Sequence, residues 1–208
     1  MKFGTVTDFR AEREKAGGAR EELATVPIFC RLLFLLLIAA GLGLAAKGAL
    51  IPAKAWTAQW LLERAFAEGL ATGRPVRAWS WADSAPIARL SVPRLGAADI
   101  VLSGGSGEGL AFGPSHLPAS APLGGRGTSV LAAHRDTHFR FLEHVRPGDE
   151  IRIETLDGRT LRYRVAGTRV VRRDSYAPDG DLALVTCWPF GGTERGPLRY
   201  VVTSLRLN

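Results

Sequence analysis

The spacing of apolar residues changes character twice along this chain. Residues 32–46 read LLFLLLIAAGLGLAA, an apolar run broken by nothing more polar than glycine. Counting the flanks 26–30 and 48–53, it reaches the roughly 20 residues that cross a bilayer core as a helix. Arg31 and Lys47 interrupt it only as residues whose stems lie along an apolar surface while their charges reach water. Residues 26–53 are therefore expected to be a transmembrane signal anchor. Arg31 abuts the run, and the positive-inside bias then places the tail 1–25 in the cytoplasm and everything after residue 53 outside. A cleaved signal peptide is the competing reading, because Ala53-Lys54-Ala55 has the small-x-small pattern of a cleavage site. Both readings export the rest of the chain.

Between residues 54 and 78 the period becomes helical. Trp56, Trp60, Leu61, Phe66 and Leu70 recur at that spacing with Arg64 on the margin, and Gly73 and Pro75 stop the helix. This is expected to be an amphipathic linker helix, packed on the domain or lying at the membrane surface.

From residue 79 to 208 the period falls to two. Short apolar or alternating runs at 87–92 (IARLSV), 98–102, 128–133 (TSVLAA), 150–155, 161–171, 182–186 and 198–205 are bounded by Gly and Pro. Asp157-Gly158 between two of them is a hairpin turn. Seven or eight such strands with almost no room for helices predict a mainly β domain, a closed antiparallel barrel. The Gly/Pro/Ser-rich stretch 103–127 is too long for a simple hairpin and is expected to be a functional loop or to bear a short helix.

Composition narrows the function classes. The chain has 27 basic and 20 acidic residues, a net charge of +7 and a pI near 10.1. The basic residues are scattered among acids, with no stripe interleaved with aromatics, so no nucleic acid is expected as partner. Only two cysteines occur, Cys30 and Cys187. An anchor at 26–53 sets them at or beyond opposite membrane faces, where they cannot pair. Cys187 is then a lone thiol in an exported domain; on its own such a residue is as readily a small buried hydrophobe.

His134 directly follows the run TSVLAA and opens the polar turn Arg135-Asp136-Thr137-His138. Cys187 ends the run LALVT before Trp188-Pro189, and Arg199 opens the last strand after Gly196-Pro197. Strand ends are where a rigid scaffold presents side chains to a groove. A cysteine, an imidazole and a guanidinium together support acyl transfer: attack by sulfur, proton donation to the departing amine, and a fork of donors for the oxyanion. The histidines and acids lack ligand spacing, so neither metal nor other cofactor is expected.

Val185-Thr186-Cys187 and the string 131–139 (LAAHRDTHF) resemble the cysteine and histidine motifs of sortases, and Arg199-Tyr-Val-Val-Thr resembles the family's later Arg and closing strand. The combination with 79–90 (WSWADSAPIARL), 110–116 (LAFGPSH) and Thr-Cys-Trp-Pro-Phe resembles the Gram-negative (class GN) sortases. The resemblance covers roughly residues 30–207. It implies a membrane-anchored cysteine transpeptidase that cleaves a C-terminal sorting signal, often Leu-Pro-x-Thr-Gly-like, of an exported protein and passes the acyl group to an amine. By position it makes Cys187 the nucleophile, His134 the acid/base and Arg199 the oxyanion or substrate-binding residue, with Thr186 lining the groove beside it. Trp188 and His116 are further substrate-binding candidates, His116 being otherwise, like His138 and His144, a structural or surface residue. Arg195 is a second candidate for the arginine. Asp136 is expected to pair with Arg135 or Arg140 rather than orient His134. Leu184 and Ala133 depart from the Thr and Gly frequent at those positions. No acidic cluster carries over the calcium dependence of some sortases. The rival readings are another extracytoplasmic cysteine peptidase or hydrolase, and a non-catalytic membrane-tethered binding domain.

Overall fold

The computed structural model describes residues 27–105, 107, 109–192 and 196–207, and for residues 51 and 52 the backbone only. The expected tail 1–25 and the alternative Arg195 lie outside these. The chain divides into two compact units between Ala53 and Lys54.

One helix, α1 (Ile28–Thr72), runs through both units. Its first part is apolar on every side, and Phe34, Leu36 and Leu44 are among many exposed side chains. By length and composition it is able to cross a membrane. Its last part, in the second unit, does have two faces. Leu62 and Phe66, four residues apart and 2 % and 0 % exposed, pack with Ile100, Leu102 and Leu156. Gly69 allows the approach, since a Cβ there would stand 2.9 Å from Leu156 Cδ2. Only part of the expected apolar face meets the domain. Phe66 and Leu70 do meet the domain, but Trp56 and Trp60 are 80 % and 60 % exposed. The buried positions of this stretch are Ala58 and Leu62, which carry less bulk than the tryptophans. The helix ends where Gly73 turns left-handed, at φ +67°.

Eight strands follow: β1 (Pro86–Val92), β2 (Ala97–Ser103), β3 (Ser115–His116), β4 (Ser129–Ala132), β5 (Glu150–Thr155), β6 (Thr160–Arg172), β7 (Leu182–Cys187) and β8 (Leu198–Arg206). They close a barrel in the order β1-β2-β3-β4-β7-β8-β6-β5, with β5 returning to β1. Alternation delivers one face of each strand to the interior, where Leu90, Leu131, Ile151, Ile153, Leu184 and Val202 are fully buried. Pairing is antiparallel except at β2–β3 and β4–β7, which are parallel. The latter follows from the path: between β4 and β7 the chain makes a long excursion through β5 and β6, enough to return in the same direction. The stretch 103–127 contains a short 3-10 turn, Gly109–Ala111, as well as β3.

One ion pair ties the β1–β2 turn to the start of β5. The Asp149 carboxylate accepts from Arg94 Nε at 2.5 Å and Nη2 at 2.7 Å, and from the Arg146 N–H at 2.8 Å. Hydrogen bonding by Arg94 holds its pKa below the ordinary carboxylate range, against the opposing effect of burial. A depressed folded pKa gives stability that is present above the unfolded value and lost as pH falls through the folded one. Thermal unfolding from pH 7 downward is therefore expected to show the wild type losing stability below about pH 4. Asp149→Asn should be less stable at pH 7 and should lack that part of the acid transition, so the two curves converge in acid.

Candidate active site

β7 stops at Cys187 because proline at 189 has no N–H with which to continue the ladder. Along β7, Leu182 and Leu184 belong to the interior cluster, whereas Ala183 and Val185 belong to a second cluster on the outer face. Period-two alternation then puts Thr186 inward and Cys187 outward. Cys187 is half-buried. Its register partner on β8 is Arg199, and residues directly opposite in an antiparallel pair share a face. On the other flank β4 runs parallel to β7 with Ala132 beside Val185, and the Ala133 N–H donates to Val185 O at 3.3 Å. Two residues further along each strand come His134 and Cys187. The barrel thus sets cysteine and arginine opposite one another, with histidine just past the end of the neighbouring strand.

The His134 ring is exposed and forms no hydrogen bond among the described residues. Arg199 is tied back through Nη1 to Gly196 O at 2.9 Å and Leu198 O at 2.8 Å, which aims the rest of its fork. It also lines a groove of about 600 Å³ on the outer face of β4, β7 and β8. Val130, Ala132 and Val185 form the apolar floor, and Leu117 with Ala121 on one side and Tyr176 with Pro178 on the other form walls. Arg173 and Arg199 are its charged residues, with no carboxylate among its described lining. The β6–β7 wall is anchored by Asp179, which accepts both Arg169 nitrogens at 2.8 and 2.6 Å and the Thr203 hydroxyl at 3.0 Å. Burial pushes the Tyr176 phenol up within this wall.

The remaining expected site residues are placed differently from one another. Thr186 is 2 % exposed, and its hydroxyl donates to Ala133 O at 2.7 Å. It faces the interior and ties the cysteine strand to the histidine strand instead of lining the groove. Trp188 stacks on Tyr200 with ring centroids 5.6 Å apart and meets Phe190 edge-on, beside rather than in the groove floor. His116 Nε2 lies 2.9 Å from Ala121 O and so braces the groove wall from behind. Asp136 lies 3.5 Å from Arg135 Nε, and His138 pairs with Asp99 at 2.7 Å. Arg173, Tyr176 and Pro178 join the lining from a stretch whose sequence has no period to show which strand face it covers.

A model of the sortase domain matches residues 90–206. The chain belongs to the sortase family. Sortases are cysteine transpeptidases that act on exported proteins carrying sorting signals. Sortase D of Bacillus subtilis (strain 168) is 28 % identical over 124 residues, which are 57 % of this chain and 62 % of that protein. The chain therefore aligns with about three-fifths of the length of this curated sortase. Among solved structures, sortase A from Corynebacterium diphtheriae superposes with a TM-score of 0.54 at 28 % identity, over 62 % of this chain and 63 % of that one. A Clostridium perfringens sortase D5 transpeptidase gives 0.51 at 25 % identity, over 59 % and 79 %. The eight-stranded closed barrel is the sortase fold.

Proposed function

We propose that this protein is a membrane-anchored sortase of the Gram-negative class. In this reading it cleaves the C-terminal sorting signal of an exported protein and transfers the acyl fragment to an amine. Residues 26–53 hold it in the cytoplasmic membrane with the barrel on the periplasmic side. The class rests on the sequence strings around Trp79, Leu110, His134 and Cys187.

The observation that carries the reading is the register: Cys187 lies opposite Arg199 on β8 and next to the strand β4 that leads into His134, and Arg199 lines an apolar groove. A signal lying in extended form along that groove brings its scissile carbonyl to Cys187. Sγ attacks the carbonyl carbon, and the Arg199 guanidinium stabilises the negative charge that develops on oxygen. As the C–N bond breaks, the imidazolium of His134 gives its proton to the departing amine, leaving a thioester on Sγ. The acceptor amine then attacks the thioester carbonyl, His134 takes up its proton, and the C–S bond breaks. The groove's apolar floor and basic, carboxylate-free lining suit a signal with an apolar leading residue and no cationic side chain.

The test is the intact mass of the full-length protein in detergent after incubation with peptides of the Pro-x-Thr-Gly type. An acyl adduct on Cys187, released by hydroxylamine or an amine, is expected. No adduct with any peptide, together with a Cys187 that small alkylating agents cannot reach, would overturn the reading in favour of a structural cysteine in a binding domain.

A further inference from the structure

Beyond Ala133 and Val185 the ladder that holds β4 to β7 ends: His134 opens the turn that leaves β4, while β7 runs on to Cys187 held by β8. Thr186 supplies one last bond below the pair, its hydroxyl to Ala133 O. Above the pair stands Arg135. It is 6 % exposed and the one arginine buried among the described residues, although it follows an exposed histidine in a polar turn. Its Nη2 donates to Gly192 O, in the turn that runs on from Cys187 through Trp188, Pro189 and Phe190. That turn is itself closed by the Gly192 N–H to Pro189 O at 3.3 Å. The packing is close: a Cβ on Gly192 would lie 3.5 Å from Arg135 Nη1 and 3.2 Å from Pro189 O. The far end of the His134 turn is fixed independently, because the Phe139 N–H donates to His134 O at 3.0 Å and Phe139 is buried in the core.

We propose that Arg135 is a positioning residue that locks the histidine turn to the cysteine turn and so sets the imidazole of His134 against Sγ of Cys187. The proposal deepens the sortase reading and rests on it. A guanidinium suits the task because its planar fork donates in fixed directions, whereas an ammonium of the same charge does not hold one orientation. Burying that charge is costly unless its donors are used, so a solvated loop arginine would have been the cheaper arrangement. Asp136, exposed and 3.5 Å away, balances the charge without fixing the geometry.

The experiment needs no sorting signal. Full-length wild type, His134→Ala, Arg135→Lys and Arg135→Gln in detergent are alkylated with iodoacetamide from pH 5 to 9. The rate at Cys187 is read from the mass of its tryptic peptide, which separates it from exposed Cys30, and thermal unfolding is followed in parallel. The expected result is that His134→Ala changes the pH profile of the rate. Both Arg135 variants should then move at least halfway from wild type towards that profile while still unfolding cooperatively. Arg135 variants that keep the wild-type profile, where His134→Ala does not, overturn the positioning role and leave the sortase reading standing. A His134→Ala profile equal to wild type overturns the pairing of the two residues, and the sortase reading with it. Loss of the fold in both Arg135 variants overturns the proposal by making Arg135 a stability element.

Discussion

Replacing Cys187 by alanine is expected to abolish acyl transfer, with turnover falling about 10⁴-fold or more, as removal of a nucleophile does in other acyl-transfer enzymes. The side chain is half-buried at a strand end and outside the interior clusters, so its loss leaves the barrel intact and the unfolding midpoint close to wild type. Arg199, the groove and the His134 turn remain in place, so the variant still binds signal peptide while no thioester accumulates. The measurement is paired: peptide turnover with intact mass for the chemistry, and peptide binding for the groove. His134→Ala is a graded companion. Losing the proton donor and acceptor is expected to lower turnover by about 10²–10⁴-fold while the thiol remains. Turnover retained by the cysteine variant would sink the scheme outright, and a binding domain would be the better reading.

The second large effect is expected at Arg199. Its place opposite Cys187 is set by the β7–β8 register, and its own backbone tethers hold Nη1, so the remaining nitrogens of the fork are turned outward without reorganisation. Arg199→Lys keeps the positive charge and removes the fork. A lysine ammonium at the end of a flexible stem meets the same carbonyls or stays in water, and one oxyanion donor lost in this way lowers kcat by about 10²–10³-fold. The alternative role, holding the substrate backbone before reaction, predicts a rise in KM instead. Steady-state kinetics on one peptide separates the two, and a lysine variant with unchanged kcat and KM would remove Arg199 from the site.

How far these residues could be read in advance depends on what kind of information each position carries. Strands with clean alternation declare themselves: 150–155 is found at the expected bounds, because each inward Ile has charged neighbours. β3 spans two residues and has no period to read. The linker helix was half legible. Phe66 meets the domain as its spacing suggests, whereas the tryptophans, equally suited to packing and to a membrane surface, are exposed, and small Ala58 between them is buried. For the site, strand ends pointed to Cys187, His134 and Arg199 one at a time. Their adjacency depends on two registers, one of them parallel, and register is a property of paired strands that no single strand encodes. Thr186 was assigned to the groove by motif, yet period two already excludes it, since neighbours in a strand cannot share a face. Arg135 offered no advance sign: a polar residue in a polar turn looks solvated until the opposite turn is folded over it.

The path of the chain between β4 and β7 has a consequence for when the protein becomes active. His134 precedes β5 and β6, and Cys187 and Arg199 follow them. The parallel contact between β4 and β7 joins segments that this hairpin separates in the chain, and such non-local pairings are slow to form. On the proposed reading, a chain in which this contact has not yet formed carries the Cys187 thiol and a distant imidazole, and no groove. On that reading reactivity arrives with the closing of the β4–β7 seam, and the event that completes the fold is the one that assembles the site.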